Sequence, residues 1–323
     1  MSFKRVLITG GAGFIGSHLV DALLEAGRQV TIVDNLSTGR WQNVAHRSRD
    51  PNLRVLIASA SDERLMDEEI RQHDLVYHLA SAVGVKLIMQ QPVKTIDTIV
   101  LSTEVVLRLC SRYRRPVLLT STSEIYGKST QVPFRETDDV VMGATEKRRW
   151  AYACAKAMDE FLARAHYYET QLPVFIVRLF NTVGPRQTGH YGMVIPTFVR
   201  QALDGAPLTV YGTGQQKRCF CSAFDVVQGL IRLPEVEEST GMVVNLGSQN
   251  EISIENLARR VVEVTGSSSG LCYVPYEEAY GEGFDDMFQR IPDLERARQL
   301  VGWEPRYGID DIIRQVAGDL RRG

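Results

Sequence analysis

The chain has 323 residues, 44% of them hydrophobic and 24% charged, with a formal charge of −2 and a sequence pI near 6.3. That is the composition of an ordinary soluble globular protein, and it lacks the basic field that nucleic acid or an anionic membrane would require. No apolar run reaches the roughly 18 residues of a membrane span, and the strand-like run at Arg5 begins too early for a secretory leader, so the cytoplasm is the expected location.

The first predicted element is a strand at 5–8, followed by Thr9-Gly10-Gly11-Ala12-Gly13-Phe14-Ile15-Gly16 and a helix-spaced apolar segment over 17–26. Strand, tight turn and helix in this order form a dinucleotide-binding turn. There Gly10 can take a positive backbone angle, Gly13 lets a pyrophosphate reach the backbone, and Gly16 permits close packing of helix on strand. The next strand, 29–33, ends at Asp34, where a carboxylate would accept both hydroxyls of an adenosine ribose and repel a ribose phosphate. NAD is therefore expected over NADP, although Arg40 lies near enough to soften the preference.

Further apolar runs at 53–57, 75–79, 116–120 and 174–179 alternate with helical periodicity over 97–113 and 152–168. The alternation predicts an α/β fold, a doubly wound parallel Rossmann sheet, whose loops after Ile8, Val33, Leu79 and Thr120 converge on one crevice. Within the last helix Tyr152 and Lys156 stand at i and i+4, on one face, where an ammonium would stabilise a phenolate and make the tyrosine a general base. Thr122, in the Ser/Thr-rich strand end Leu119–Gly127, could share a substrate hydroxyl with Tyr152, or serve only to terminate the strand with local turns.

Beyond about residue 181 the prolines Pro185, Pro196, Pro207, Pro275, Pro292 and Pro305 punctuate shorter elements. The expected division is residues 1–180, with segments near 222–246 returning to the sheet, against a smaller interleaved substrate domain over 181–323. Cys110, Cys154, Cys219, Cys221 and Cys272 form neither an even framework nor a paired zinc pattern, so reduced thiols and no metal are expected. Cys219 and Cys221 should be strand residues pointing to one face.

Together, TGGAGFIGSHL, Asp34, Tyr152-Ala-Cys-Ala-Lys156 and the FNTVGPR segment at 180–186 resemble the extended short-chain dehydrogenase/reductases that modify nucleotide sugars, over nearly the whole chain. The resemblance implies an NAD domain, in which Gly10, Gly13, Phe14, Ile15, Gly16, Asp34, Asn35, Tyr152 and Lys156 bind cofactor, and a carboxy-terminal nucleotide-sugar domain. It also implies a homodimer built from the helices near 97–113 and 152–168. One departure is Ala58-Ser59, where many members carry Gly-Asp against adenine.

Members share oxidation at sugar carbon 4, and the branch after the ketone decides the product. Glu124 resembles the acid that decarboxylases and some dehydratases carry where epimerases mostly have small or uncharged residues. Gln216-Lys217-Arg218-Cys219-Phe220 is similar to the matching segment of UDP-glucuronate decarboxylases, as are Lys147–Trp150 and the stretch from Tyr280 to Pro292. The resemblance implies decarboxylation of a UDP-hexuronate, UDP-glucuronate being expected, to UDP-xylose or a UDP-4-keto-pentose. Tyr152, Lys156, Thr122, Glu124 and Arg218 are then the candidate catalytic residues, with Lys86, Asn181, Arg186, Tyr211, Arg218 and Arg290 on the UDP-sugar. A 4-epimerase or 4,6-dehydratase on the same scaffold is the alternative, and a non-catalytic dinucleotide sensor a remote one.

Overall fold

The computed structural model describes residues 3–81, 91–189, 193–275 and 289–322. Its strands in chain order are β1 (Arg5–Thr9), β2 (Gln29–Asp34), β3 (Leu53–Ile57), β4 (Leu75–His78), β5 (Val117–Thr122), β6 (Val174–Leu179), β7 (Thr182–Val183), β8 (Leu208–Tyr211), β9 (Lys217–Cys219), β10 (Cys221–Ser222), β11 (Val243–Leu246), β12 (Glu251–Ser253) and β13 (Leu271–Val274). The helices are α1 (Phe14–Glu25), α2 (Glu63–Gln72), α3 (Pro92–Tyr113), α4 (Trp150–Thr170), α5 (Val194–Leu203), α6 (Ala223–Arg232), α7 (Ile254–Thr265), α8 (Glu295–Val301) and α9 (Ile309–Leu320).

Seven strands form one sheet in the order β11-β6-β5-β4-β1-β2-β3, every pair parallel. The chain leaves β1 in opposite directions to reach β2 and β4, so the two halves part between β1 and β4 and a crevice opens beyond their carboxyl ends. Strand residues alternate between the two faces: Val6 and Ile8 of β1 pack with Leu19, Leu23, Val226 and Trp303 on one side, and Leu7 packs with Met66, Val106 and Leu109 on the other. Burial on both faces is what makes such strands read as continuous apolar runs. The late strand β11 pairs with β6 from Val243↔Ile176 to Leu246↔Leu179, after a helix at Ala223–Arg232.

The helices owe their limits to local chemistry. Pro92 occupies the first turn of α3, where its missing N–H costs nothing, so this helix starts five residues before the periodic region at 97. Alanines at 151, 153, 155, 157, 163 and 165 favour α4, which ends at Gln171 in the left-handed region, φ 58°. A third core, centred on Phe198, Val199, Leu257, Val261, Ile312 and Val316, joins α5, α7 and α9 away from the large sheet. Cys219 and Cys221 are both strand residues, but of different ribbons. Cys219 faces Glu251 in the antiparallel β9–β12 ribbon and Cys221 faces Thr182 in the parallel β10–β7 ribbon, because the chain changes partners at Phe220.

In the turn after β1, Gly10 has φ +74° and its missing side chain leaves room for Ala80, whose backbone N would lie 2.8 Å from a Cβ. At Gly16 a Cβ would come within 2.2 Å of the Gly10 carbonyl oxygen, so the tight contact is helix on turn. Gly16→Ala is expected to destabilise the protein by about 3 kcal/mol or more, through overpacking against backbone that cannot yield. Chemical denaturation checks this.

Candidate active site

The carboxyl ends of β1, β2, β4 and β5 border a cavity of about 930 Å³. Gly10, Gly13, Phe14, Ile15, Gly16, Asp34 and Asn35 line it, together with Thr122, Glu124, Tyr152 and Lys156. Asn181, Arg186, Tyr211, Arg218 and Arg290 line it as well, so residues spread over 281 positions of sequence share one space. Lys86 and the Tyr280–Phe284 stretch lie outside the described residues. Ala58 and Ser59, the departure from the Gly-Asp pattern, also contribute to the wall.

Asp34 ends β2 buried, its Oδ2 accepting from Ala12 N at 2.9 Å and its Oδ1 from Leu36 N at 2.8 Å. Burial pushes this carboxyl up and the two backbone N–H groups pull it back. Each oxygen keeps a lone pair for a further donor. Arg40 is exposed and does not line the cavity; its backbone N–H is tied to Ala12 O. At Gly13 a Cβ would meet only the Gly10 carbonyl, at 3.1 Å, leaving the start of α1 open to a phosphate. The glycine cradle and the acid at the end of β2 therefore fit a dinucleotide.

Tyr152 is buried on α4. Burial pushes its phenol far above the usual value, with Glu124 and Asp159 acting in the same direction and the hydroxyls of Thr122 and Ser81 against it. Desolvation dominates, and the Lys156 Nζ expected beside the phenol donates to Asp159 Oδ2 at 3.0 Å. Thr122 closes β5 as a cap, its Oγ1 accepting from Glu124 N at 3.2 Å. That bond uses a lone pair and leaves the hydroxyl hydrogen to donate, so the strand-ending and substrate-facing readings of Thr122 are compatible.

The cap aims Glu124 into the cavity between two buried guanidiniums, Arg290 Nη1 at 3.3 Å and Arg149 Nη2 at 3.9 Å. Arg290 arrives there because the backbone around it is pinned: Phe134 N donates to Ile291 O at 2.7 Å and Asp293 N to Phe134 O at 2.8 Å. Arg149 was not among the residues expected at the site. The run Lys147-Arg-Arg-Trp150 carried the signal, but sequence alone does not say which arginine turns inward.

The remaining candidates are less simply placed. Arg186, at φ +66°, sends Nη2 to Asp21 Oδ2 of α1 at 2.7 Å, so a carboxylate of the protein already holds the group expected to meet a phosphate. Asn181 Nδ2 donates to Cys219 O at 3.0 Å. Arg218 Nη1 donates to the neighbouring Lys217 carbonyl at 2.7 Å, and Tyr211 stands partly exposed at the end of β8.

A family model described as GDP-mannose 4,6 dehydratase matches residues 7–316. The chain belongs to this family. A UDP-N-acetyl-alpha-D-glucosaminuronate decarboxylase of Bacillus cytotoxicus is 42% identical over 314 residues, covering 97% of this chain and 96% of its own. UDP-glucuronic acid decarboxylase 2 of Arabidopsis thaliana is 38% identical over 327 residues, 99% of this chain and 70% of its own. Among solved structures, a UDP-glucose 4-epimerase of Thermotoga maritima with UDP-glucose aligns at TM-score 0.88 and 28% identity, covering 98% of this chain and 99% of that one. Family and fold thus bear out the extended short-chain dehydrogenase/reductase resemblance and the Rossmann sheet. Among the described residues no helix is long and apolar enough to cross a membrane.

Proposed function

We propose that this protein is an NAD-dependent nucleotide-sugar decarboxylase acting on a UDP-hexuronate, UDP-glucuronate in the first instance. The observation that carries the reading is Glu124, held between Arg149 and Arg290 in the same cavity as Tyr152. Interconversion of a carbon-4 hydroxyl needs a base and a hydride acceptor, not an extra carboxylate with two cations beside it. Loss of a carbon-6 carboxylate has use for all three.

NAD, when bound, supplies the hydride acceptor that makes the carbon-4 ketone and the positive nicotinamide charge that favours a Tyr152 phenolate. Tyr152 takes the carbon-4 hydroxyl proton, Thr122 shares that hydroxyl, and Lys156 sits on the same helix face. The ketone makes the substrate a β-keto acid: the bond between carbons 5 and 6 breaks, carbon dioxide leaves, and the electron pair moves onto the carbon-4 oxygen as an enolate. Tyr152, now protonated, donates a hydrogen bond to that oxygen. Glu124 would then relay a proton to carbon 5 of the enolate, and Arg149 and Arg290 would receive the carboxylate before its loss. Arg218, Asn181, Tyr211 and Arg186 serve the diphosphate, sugar and nucleoside, Arg186 after exchanging its pairing with Asp21. The same proposal assigns residues 1–180, with the segments near 222–246, to NAD and 181–323 to the nucleotide sugar, and places the protein in the cytoplasm.

A second substrate is favoured by one observation: the 42% identical relative that spans 96% of its own length is named for an N-acetylated hexuronate. Incubating purified protein with NAD and either UDP-glucuronate or UDP-N-acetylglucosaminuronate, followed by mass spectrometry, tests both. Loss of carbon dioxide from one of them identifies the substrate; a product of unchanged mass and altered retention would make the protein an epimerase.

The homodimer belongs to this proposal too. Val93, Ile96 and Leu101 of α3 and Met158 and Phe161 of α4 are exposed, Val93 by 70% and Phe161 by 68%, on two helices that pack along each other. A paired-helix interface would cover this apolar face. Phe161→Glu is expected to convert a dimer into monomer, read by light scattering; an unchanged mass would place the interface elsewhere.

A further inference from the structure

Helix α4 carries a third polar residue on the stripe that holds Tyr152 and Lys156. Positions 152, 156 and 159 follow i, i+4, i+7 spacing and share one face. The Asp159 side chain is 1% exposed, and its Oδ2 accepts from Lys156 Nζ at 3.0 Å. A buried carboxylate is costly unless paired, and its partner here is the ammonium assigned to the tyrosine base.

Behind Asp159, whose Oδ1 is buried without a hydrogen bond among the described residues, lie residues of three other elements. The Thr103 hydroxyl of α3 lies beside it. Thr103 Oγ1 is 3.2 Å from His78 Nε2 of β4, and His78 Nδ1 is 2.7 Å from Thr9 Oγ1 at the end of β1. Thr9 Oγ1 in turn accepts from Ala80 N at 3.3 Å, against the glycine turn. Burial and the Lys156 ammonium hold His78 down at about 3, so the imidazole adds no second positive charge to this buried line. Among the described residues, the charged groups near the pair include Glu124 after β5, with the guanidiniums of Arg149 and Arg290 beside it, and Glu160, next to Asp159 on α4.

We propose that Asp159 is a positioning residue: it anchors the Lys156 ammonium and, by partly cancelling its charge, sets how strong a base Tyr152 becomes. An ammonium beside a carboxylate stabilises a neighbouring phenolate less than an ammonium alone. The phenolate is then formed less readily but takes the sugar hydroxyl proton more completely. This inference rests on the assignment of Tyr152 as base with Lys156 as its partner.

The test is a tyrosinate absorbance titration of protein saturated with NAD, each variant recorded as the difference from its own Tyr152→Phe form. NAD binding is measured beforehand, so a failure of the cofactor assignment shows itself separately. Asp159→Asn is expected to lower the Tyr152 midpoint by about 1 pH unit, to shift the acid limb of kcat/KM with it, and to be reversed in Asp159→Glu. A midpoint that stays put while stability or kcat falls equally at every pH would make Asp159 merely structural and overturn the proposal. If Asp159→Asn does not fold, the same change is made in Lys156→Gln, where both partners are neutral. The midpoint should then fall below that of Lys156→Gln alone, and no fall overturns the proposal. The titration needs no sugar, so its failure leaves the decarboxylase reading standing, and absence of carbon dioxide from UDP-hexuronates leaves the titration standing.

Discussion

Tyr152→Phe is expected to reduce turnover by about 10³-fold while NAD still binds. The phenol is buried in the cavity wall, on the helix face that also bears Lys156, and the change removes one oxygen without altering the volume that packs there. Burial, Glu124 and Asp159 all hold this phenol protonated, with Thr122 and Ser81 opposing them. A base that must ionise against such surroundings makes activity rise with pH on the acid side, and the variant should lose that limb as well as its rate. Steady-state kinetics across pH together with NAD binding checks both. Activity that survived with its acid limb intact would move the base to another residue.

For Glu124→Gln the expectation is a split. Carbon dioxide release should fall about 10²-fold to 10³-fold, whereas the first oxidation, seen as transient NADH, should persist and the carbon-4 ketone of the intact hexuronate should accumulate. Gln keeps the length of the side chain and a carbonyl for the N–H of Arg290 at 3.3 Å, but it removes the charge that faces both guanidiniums, leaving them to hold the substrate carboxylate more tightly against its loss, and it cannot relay a proton to carbon 5. Stopped-flow absorbance followed by mass analysis of the trapped sugar distinguishes the steps. If NADH formation and decarboxylation declined together, Glu124 would belong to the oxidation or to substrate binding, and the argument for decarboxylation would lose its main support.

Much of the architecture was legible because its determinants are short-range. A parallel sheet buried on both faces leaves continuous apolar runs, so β1 to β6 appear within one or two residues of their observed limits. The glycine turn, Asp34 and the Tyr152–Lys156 spacing each lie within one turn, one strand end or one helix, and their chemistry can be read without knowing what packs against them. The resemblance added what spacing could not, pointing to Glu124 and to Arg290 before either had a partner.

The sequence by itself determined a doubly wound sheet, the crevice at its carboxyl edge and the pair of residues that face it. Only the tertiary structure decided the electrostatics inside that crevice. Glu124, Arg149 and Arg290 come from a strand-ending turn, a helix start and a segment pinned to Phe134, and no periodicity relates positions so far apart. The same holds for the line from Lys156 through Asp159, Thr103 and His78 to Thr9, which runs across α4, α3, β4 and β1. Lys156 was legible as an ammonium beside a phenol, but how much of its charge the phenol receives depends on Asp159 and on burial. Those are set by which elements pack together and how much water they exclude, and a local pattern carries neither.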